Sequence, residues 1–283
     1  MMNEMDIALA LGGGGVRGLA HIPMLERVEA HGMKVKAVAG TSMGAIIGAL
    51  VASGNSAAEI REGIDRHIIR SDDKVKDIFE KKNDLMIWLK AVGPSWHRSG
   101  LLTADGFLGY LLEQLDAEHF EDLKLPLKVV ATDFLSGEPV IFESGPLLPA
   151  LQASMSIPGV FVPVELDGHL LVDGGACLNL PFPLLEELGL PVIALDVAPT
   201  RLKEELAKPN LVDATIGMFD ILVDRVTHLQ RHHCEPALYH RPRLTGIRVM
   251  DFDKIEEVFE QCEPSLPELD RKLKALLGTD SFA

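Results

Sequence analysis

VAGTSMGAIIGAL, residues 38–50, reads as the end of a buried strand, a tight turn and a helix of small residues. Thr41, Ser42 and Met43 stand between Gly40 and Gly44, with the Ser42 hydroxyl at the centre. G-x-S-x-G between a strand and a helix marks a strained turn that pushes a serine out at the sheet's edge, with glycines where side chains would collide. The Met43 N–H then falls at a helix N-terminus, where it can donate to a developing oxyanion. The stretch predicts a strand–turn–helix unit of an α/β fold and, at its corner, a nucleophile.

The same alternation extends outward. IALAL (7–11) is a short apolar run, followed by a glycine loop and by VRGLAHIPMLERVEAHG, where Leu19, Ile22, Leu25 and Val28 keep helical spacing as far as Gly32. Strand, helix, strand and helix in this order predict a parallel sheet with helices on both faces. Downstream, KLPLKVVATDFLSGEPVIFESG reads as two strands joined at Ser136-Gly137-Glu138, an antiparallel pair. LLPALQASMSIPG (147–159) reads as a helix closed by Pro158 and Gly159. HLLVDGG (169–175) and PVIALDV (191–197) read as strands, and beyond about 201 helices flank a short strand near GIRVM. The segment 57–124 is mostly helical in pattern. With no repeat, low-complexity tract or linker, residues 1–283 are expected to form one domain, its motifs within about 6–200 and a helical part over about 201–283.

LGGGGVRG (11–18) fits G-x-G-x-x-G through Gly13, Gly15 and Gly18, the fingerprint of a dinucleotide site. That site also needs an acidic residue at the end of the next strand, which here ends in Ala39-Gly40-Thr41. The glycines suit close packing, and a run of N–H groups at a helix start suits negative charge. An ordinary α/β-hydrolase places its serine elbow after several strands and its histidine late in the chain. Here the elbow follows the second strand, and His228, His232, His233 and His240 lie in or after a polar helical stretch. His228, His232 and Cys234 have spacing that a metal could use, but a solvated helix end accounts for them. Val172-Asp173-Gly174-Gly175 offers a carboxylate on a turn after an apolar strand, either as a base or as a tight turn that Asp and Gly favour.

Taken in order, the glycine loop with its basic residue (Gly12 to Gly18 with Arg17), Gly40 to Gly44, A-S-x-x-x-P-x-x-F-x-P (Ala153 to Pro163) and D-G-G (Asp173 to Gly175) resemble the patatin-like phospholipase family. The resemblance covers roughly the first 200 residues. It implies a three-layer α/β/α sandwich with a mainly parallel central sheet, and a Ser–Asp dyad without histidine. Ser42 would be the nucleophile and Asp173 the general base. The amides of Gly13, Gly14 and Gly15, helped by Met43, would form the oxyanion hole, with Gly40, Gly44, Gly174 and Gly175 in support. Arg17 would brace the glycine loop or meet an anionic headgroup, against the plainer reading of a helix-surface charge. No cofactor and no metal are implied. His21 is a rival base, with a buried histidine bonded to backbone as the plainer reading; Cys177 reads as a core residue, and Asp133 as a turn residue or a neighbour of the site.

An ordinary carboxylate with a pKa near about 4 is a weak base for serine, and the apolar neighbours Leu170, Leu171 and Val172 suit one raised by desolvation. The implied activity is hydrolysis of fatty-acyl esters of phospholipids or lysophospholipids. An acyltransferase or small-ester carboxylesterase would use the same dyad, and a non-catalytic regulatory protein would not need it. The net charge of −15 argues against nucleic acid or a strongly anionic membrane as a bulk electrostatic partner. Three unclustered cysteines and an N-terminus without a basic leader predict a cytoplasmic protein. A lipid substrate leaves room for transient contact with a membrane or micelle surface. The sequence sets no oligomeric state. Trp88 and Trp96, in KKNDLMIWLKAVGPSWHRSGLL (81–102), sit among lysines and an apolar face; that segment reads as a core helix or as a lid or interface helix.

Overall fold

The computed structural model describes residues 4–71, 115–158, 160–201 and 211–279. The segment around Trp88 and Trp96 lies outside them, as does most of the helical reading of 57–124. Strand β1 (Met5–Leu11) alternates its side chains: Ile7, Leu9 and Leu11 enter one apolar cluster, Ala8 and Ala10 another on the opposite face. Strand β2 (Met33–Thr41) repeats the pattern, with Val38 on the first face and Ala37 and Ala39 on the second. The bulky face is covered by helices α1 (His21–Ala30) and α2 (Met43–Ala52). The alanine face packs on Phe182 and Leu185 of a 3-10 segment. Helix α3 (Ala57–Ser71) follows α2.

The sheet has eight strands. Its main path runs β5 (Val164–Leu166), β6 (His169–Asp173), β3 (Leu127–Asp133), β2, β1, β7 (Val192–Leu195) and β8 (Leu238–His240), with β4 (Pro139–Phe142) paired to β3. Strands β3, β2, β1, β7 and β8 are parallel; β4, β5 and β6 join antiparallel. The fold is therefore a mostly parallel sheet with flanking helices, including α4 (Leu147–Ser154), α5 (Gly175–Leu178), α6 (Leu211–His233), α7 (Ile255–Cys262) and α8 (Leu266–Leu276). Among the described residues no single helix is long and apolar enough to cross a membrane.

One detail of pairing brings the site together. On β3, Val129 and Val130 pair with β2 on one edge and with β4 on the other, while Ala131 and Thr132 pair with β6 and with β4. Strands β2 and β6 thus share one edge of β3 and meet end to end. Thr41 stands opposite Val130 and Asp173 opposite Ala131. Ser42 and Asp173, 131 residues apart in the chain, are thereby brought side by side.

Two sequence expectations are corrected. The helix starting at Leu147 ends at Ser154, short of Pro158; Ile157 precedes proline, which disfavours helical backbone, and the Ser156 carbonyl turns to accept the Asp173 N–H at 2.9 Å. The last strand is Leu238–His240, whereas GIRVM lies against the glycine loop, where Val249 O accepts the Val16 N–H at 2.9 Å and Ile247 O accepts from Arg17 at 3.2 Å.

Candidate active site

Ser42 caps α2 with φ 55° and ψ −125°; among the described non-glycine residues only Ser42 and Asp167 have positive φ. A serine held there costs about 1–3 kcal/mol, and surrounding contacts must enforce it. Two do. The Ser42 N–H donates to the Ser154 hydroxyl at 2.8 Å, and the turn closes so tightly that a Cβ on Gly44 would stand 2.3 Å from the Leu11 carbonyl oxygen. Glycine is therefore a steric requirement where the elbow crosses β1.

Asp173 is almost fully buried at the end of β6. Its Oδ1 accepts the Gly175 N–H at 2.7 Å, and its carbonyl accepts from the Thr132 hydroxyl at 3.0 Å. Oδ2 is buried and makes no hydrogen bond of normal geometry among the described residues. Desolvation raises the carboxyl pKa to about 6, and the neighbouring Ser42 hydroxyl and the Gly175 N–H oppose that rise without cancelling it. The group is ionised at neutral pH yet markedly more basic than an ordinary aspartate.

The glycine loop leaves β1 beside the elbow, where a Cβ on Gly13 would lie 3.0 Å from that of Ser42. Asn179, buried just beyond α5, clamps Gly13 from both sides: its carbonyl accepts the Gly13 N–H at 3.2 Å, and its side-chain amide donates to the Gly13 carbonyl at 3.2 Å. The Gly13 N–H is consequently engaged, a correction to the expectation that it faces an oxyanion. The N–H groups of Gly14, Gly15 and Met43 have no acceptor recorded among the described residues, and Met43, opening α2, has no intrahelical partner to give to.

His21 is fully buried with Nε2 2.8 Å from the Gly12 carbonyl, and burial lowers its pKa to about 4, so the ring is neutral and its place is under the loop. Arg17 is neither a surface charge nor open to a headgroup. It is 2% exposed and grips Asp220 of α6 with two nitrogens, at 2.8 and 3.3 Å. It braces the loop against α6 and the 247–249 segment. Asp133 is a turn residue, capping Leu135 and Ser136 and meeting His169 at 3.1 Å. Cys177 is half-buried, 3.0 Å from the Thr132 hydroxyl. His228 and His232 lie on an exposed stretch of α6 with their Nε2 atoms 3.0 Å apart. Sequence reasoning missed Asn179 and the Ser154 hydroxyl; an asparagine between two leucines (Leu178, Leu180) was the available signal for the first.

The arrangement, a serine on a strained elbow with a buried basic carboxyl and unpaired amides beside it, suits acyl transfer through the serine. The family model of patatin-like phospholipases matches residues 9–185. An uncharacterized NTE family protein of Mycobacterium tuberculosis is 37% identical over 175 residues, 62% of this chain and 44% of the relative. Human patatin-like phospholipase domain-containing protein 6 is 30% identical over 282 residues, 90% of this chain and 19% of the relative. The chain thus spans less than half the length of these curated relatives. The crystal structure of VipD from Legionella pneumophila superposes with a TM-score of 0.52 at 14% identity, over 95% of this chain and 67% of that one, a likeness of fold. By its motifs, its fold and these matches, the chain belongs to the patatin-like phospholipase family.

Proposed function

We propose that this chain is a lipid acyl hydrolase that cleaves fatty-acyl esters of phospholipids or lysophospholipids through an acyl-enzyme on Ser42. The observation that carries the reading is the end-to-end meeting of β2 and β6, which sets a strained serine beside a carboxyl with a pKa raised to about 6. Asp173 takes the Ser42 proton as Oγ bonds to the ester carbonyl carbon. The oxyanion is met by the amides of Gly14, Gly15 and Met43. Asp173 returns the proton to the departing alcohol, and water repeats the sequence to release the fatty acid.

The test is covalent labelling of Ser42 by a fluorophosphonate, followed by product analysis on phospholipid, lysophospholipid and a soluble short-chain ester. Labelling at Ser42 with release of fatty acid from a lipid is the expected result. Labelling with turnover of the short ester alone would make the chain a carboxylesterase, and transfer of acyl groups to added alcohols in preference to water would make it an acyltransferase. No labelling of Ser42 would overturn the mechanism.

A further inference from the structure

Gly12, Gly13, Gly14 and Gly15 follow one another, and a peptide unit between two glycines has no Cβ on either side to stop it turning. The loop is held all the same. The Gly12 N–H donates to the Leu195 carbonyl at 3.0 Å, the Gly12 carbonyl lies 2.8 Å from His21 Nε2, and the Val16 N–H donates to the Val249 carbonyl. Between these anchors the N–H and the carbonyl of Gly13 both go to Asn179. The first amide left over is that of Gly14.

A trans peptide unit is planar, so its carbonyl and its N–H point in opposite directions. The Gly13 carbonyl and the Gly14 N–H belong to one such unit. Donation from Asn179 Nδ2 to that carbonyl therefore fixes the direction in which the Gly14 N–H points. A hydrogen bond on the carbonyl also polarises the unit and strengthens its N–H as a donor. Asn179 is itself buried, and the residue before it is tied to the elbow: the Leu178 carbonyl accepts from the Thr41 hydroxyl at 2.8 Å. Its Oδ1 fills the space between the loop and the turn after Asp173. A Cβ on Gly13 would come within 2.7 Å of it, and one on Gly175 within 3.0 Å. The Gly175 N–H in turn holds the Asp173 carboxylate. One short stretch, Leu178-Asn179, thus joins the glycine loop, the serine elbow and the aspartate turn. Burying an amide there is costly unless it is bonded, and packing alone would be served by an apolar side chain.

We infer that Asn179 is a positioning residue of the acyl-transfer site, its side-chain amide aiming the Gly14 N–H at the oxyanion that forms when Ser42 attacks an ester carbonyl. The inference rests on the hydrolase reading. Asn179 acts through the Gly13–Gly14 peptide rather than on the substrate. Its effect falls on the transition state, where the oxyanion exists, and not on the bound ester.

The experiment compares the unaltered chain with Asn179→Ala, which removes the donor, and Asn179→Leu, which keeps a branched outline without it. Each protein is given a soluble short-chain ester and a trifluoromethyl ketone of the same chain length. Ser42 Oγ adds to the ketone carbonyl carbon, its proton passing to Asp173 and the carbonyl oxygen becoming the oxyanion. End-point labelling by a fluorophosphonate counts competent serines, so that every rate is expressed per labelled molecule. The expected result is a fall in kcat of about a hundredfold in both variants, KM within about twofold, and ketone affinity weakened by about the same factor as kcat/KM. A role in folding alone would not move kcat and ketone affinity together at constant KM. Retention of kcat by Asn179→Ala, or a rise in KM at constant kcat, would overturn the inference. So would a loss explained wholly by fewer labelled serines, variants that fail to fold included, which would make Asn179 a residue of stability. Absence of labelling and turnover in the unaltered chain would instead bring down the hydrolase reading, and the inference with it.

Discussion

The N–H of Ser42 donates to the hydroxyl of Ser154, 2.8 Å away and 112 residues on in the chain. Two residues further, the Ser156 carbonyl accepts the N–H of Asp173. A single short segment at the end of α4 therefore tethers both members of the proposed dyad. Ser154→Ala would strand a buried N–H, costing about 1–2 kcal/mol, and would loosen the elbow. We expect kcat to fall about tenfold with KM little changed, since positioning of the nucleophile is what is lost. Steady-state kinetics beside a thermal melt measures both effects.

If the dyad acts as a unit, Ser42→Ala and Asp173→Asn should each remove at least about a thousandfold of activity, and the double variant should lose little more. Additive losses would show the two acting separately. His21→Gln keeps a donor for the Gly12 carbonyl and should retain most activity with the same pH profile. An inactive but folded His21→Gln protein beside an active Asp173→Asn one would move the base to His21.

The pH dependence has a definite sign. Asp173 must be ionised to accept a proton, so kcat/KM should rise through a midpoint near pH 6 and then level. The folded carboxyl keeps its proton up to about 6, while in the unfolded chain it loses it near about 4, so the native state binds more protons within that window. This group's contribution to stability therefore declines as pH rises from about 4 to about 6 and stays low above it. At pH 7 the burden is about 3 kcal/mol. Asp173→Asn should accordingly raise the melting temperature at neutral pH and lose that advantage in acid, a trade of stability for activity visible in a pair of melts.

Arg17 and Asp220 form a buried pair that can be dissected. Asp220→Asn leaves the guanidinium uncompensated and should cost about 3 kcal/mol, whereas Arg17→Met combined with Asp220→Leu should recover much of the loss. A double-mutant cycle on denaturant midpoints would detect the coupling. Equal stability of both variants and the unaltered chain would show the pair to be energetically silent.

The sequence was readable wherever one local pattern decided the outcome. The elbow, the glycine loop and the strand before Asp173 each carry their own signature, and the structure places them together. What it hid was non-local. The hydroxyl of Ser154 and the two-sided clamp of Asn179 matter through partners more than a hundred residues away, and no spacing reports that. GIRVM has the composition of a strand but lies against the glycine loop, while Leu-Tyr-His, less apolar, took the edge beside β7. The β5–β6 hairpin could have been found, since Asp167-Gly168 is a strong two-residue turn signal and both residues have positive φ. Helix α6 is held by Asp220 and Asp224 through Arg17 and Arg241, partners that no spacing within the helix reports.

The ladder that joins Ser42 and Asp173 also ties the proposed activity to the register of β6. A slip of β6 by a single position along β3 would turn Asp173 to the opposite face of the sheet, away from Ser42 and the Gly175 amide, and bury its charge among apolar side chains. Misregistered chains are thus penalised by the same carboxyl that they misplace. The fraction of a preparation that takes up one equivalent of a serine-directed label should therefore count its correctly folded molecules, making active-site titration a folding assay.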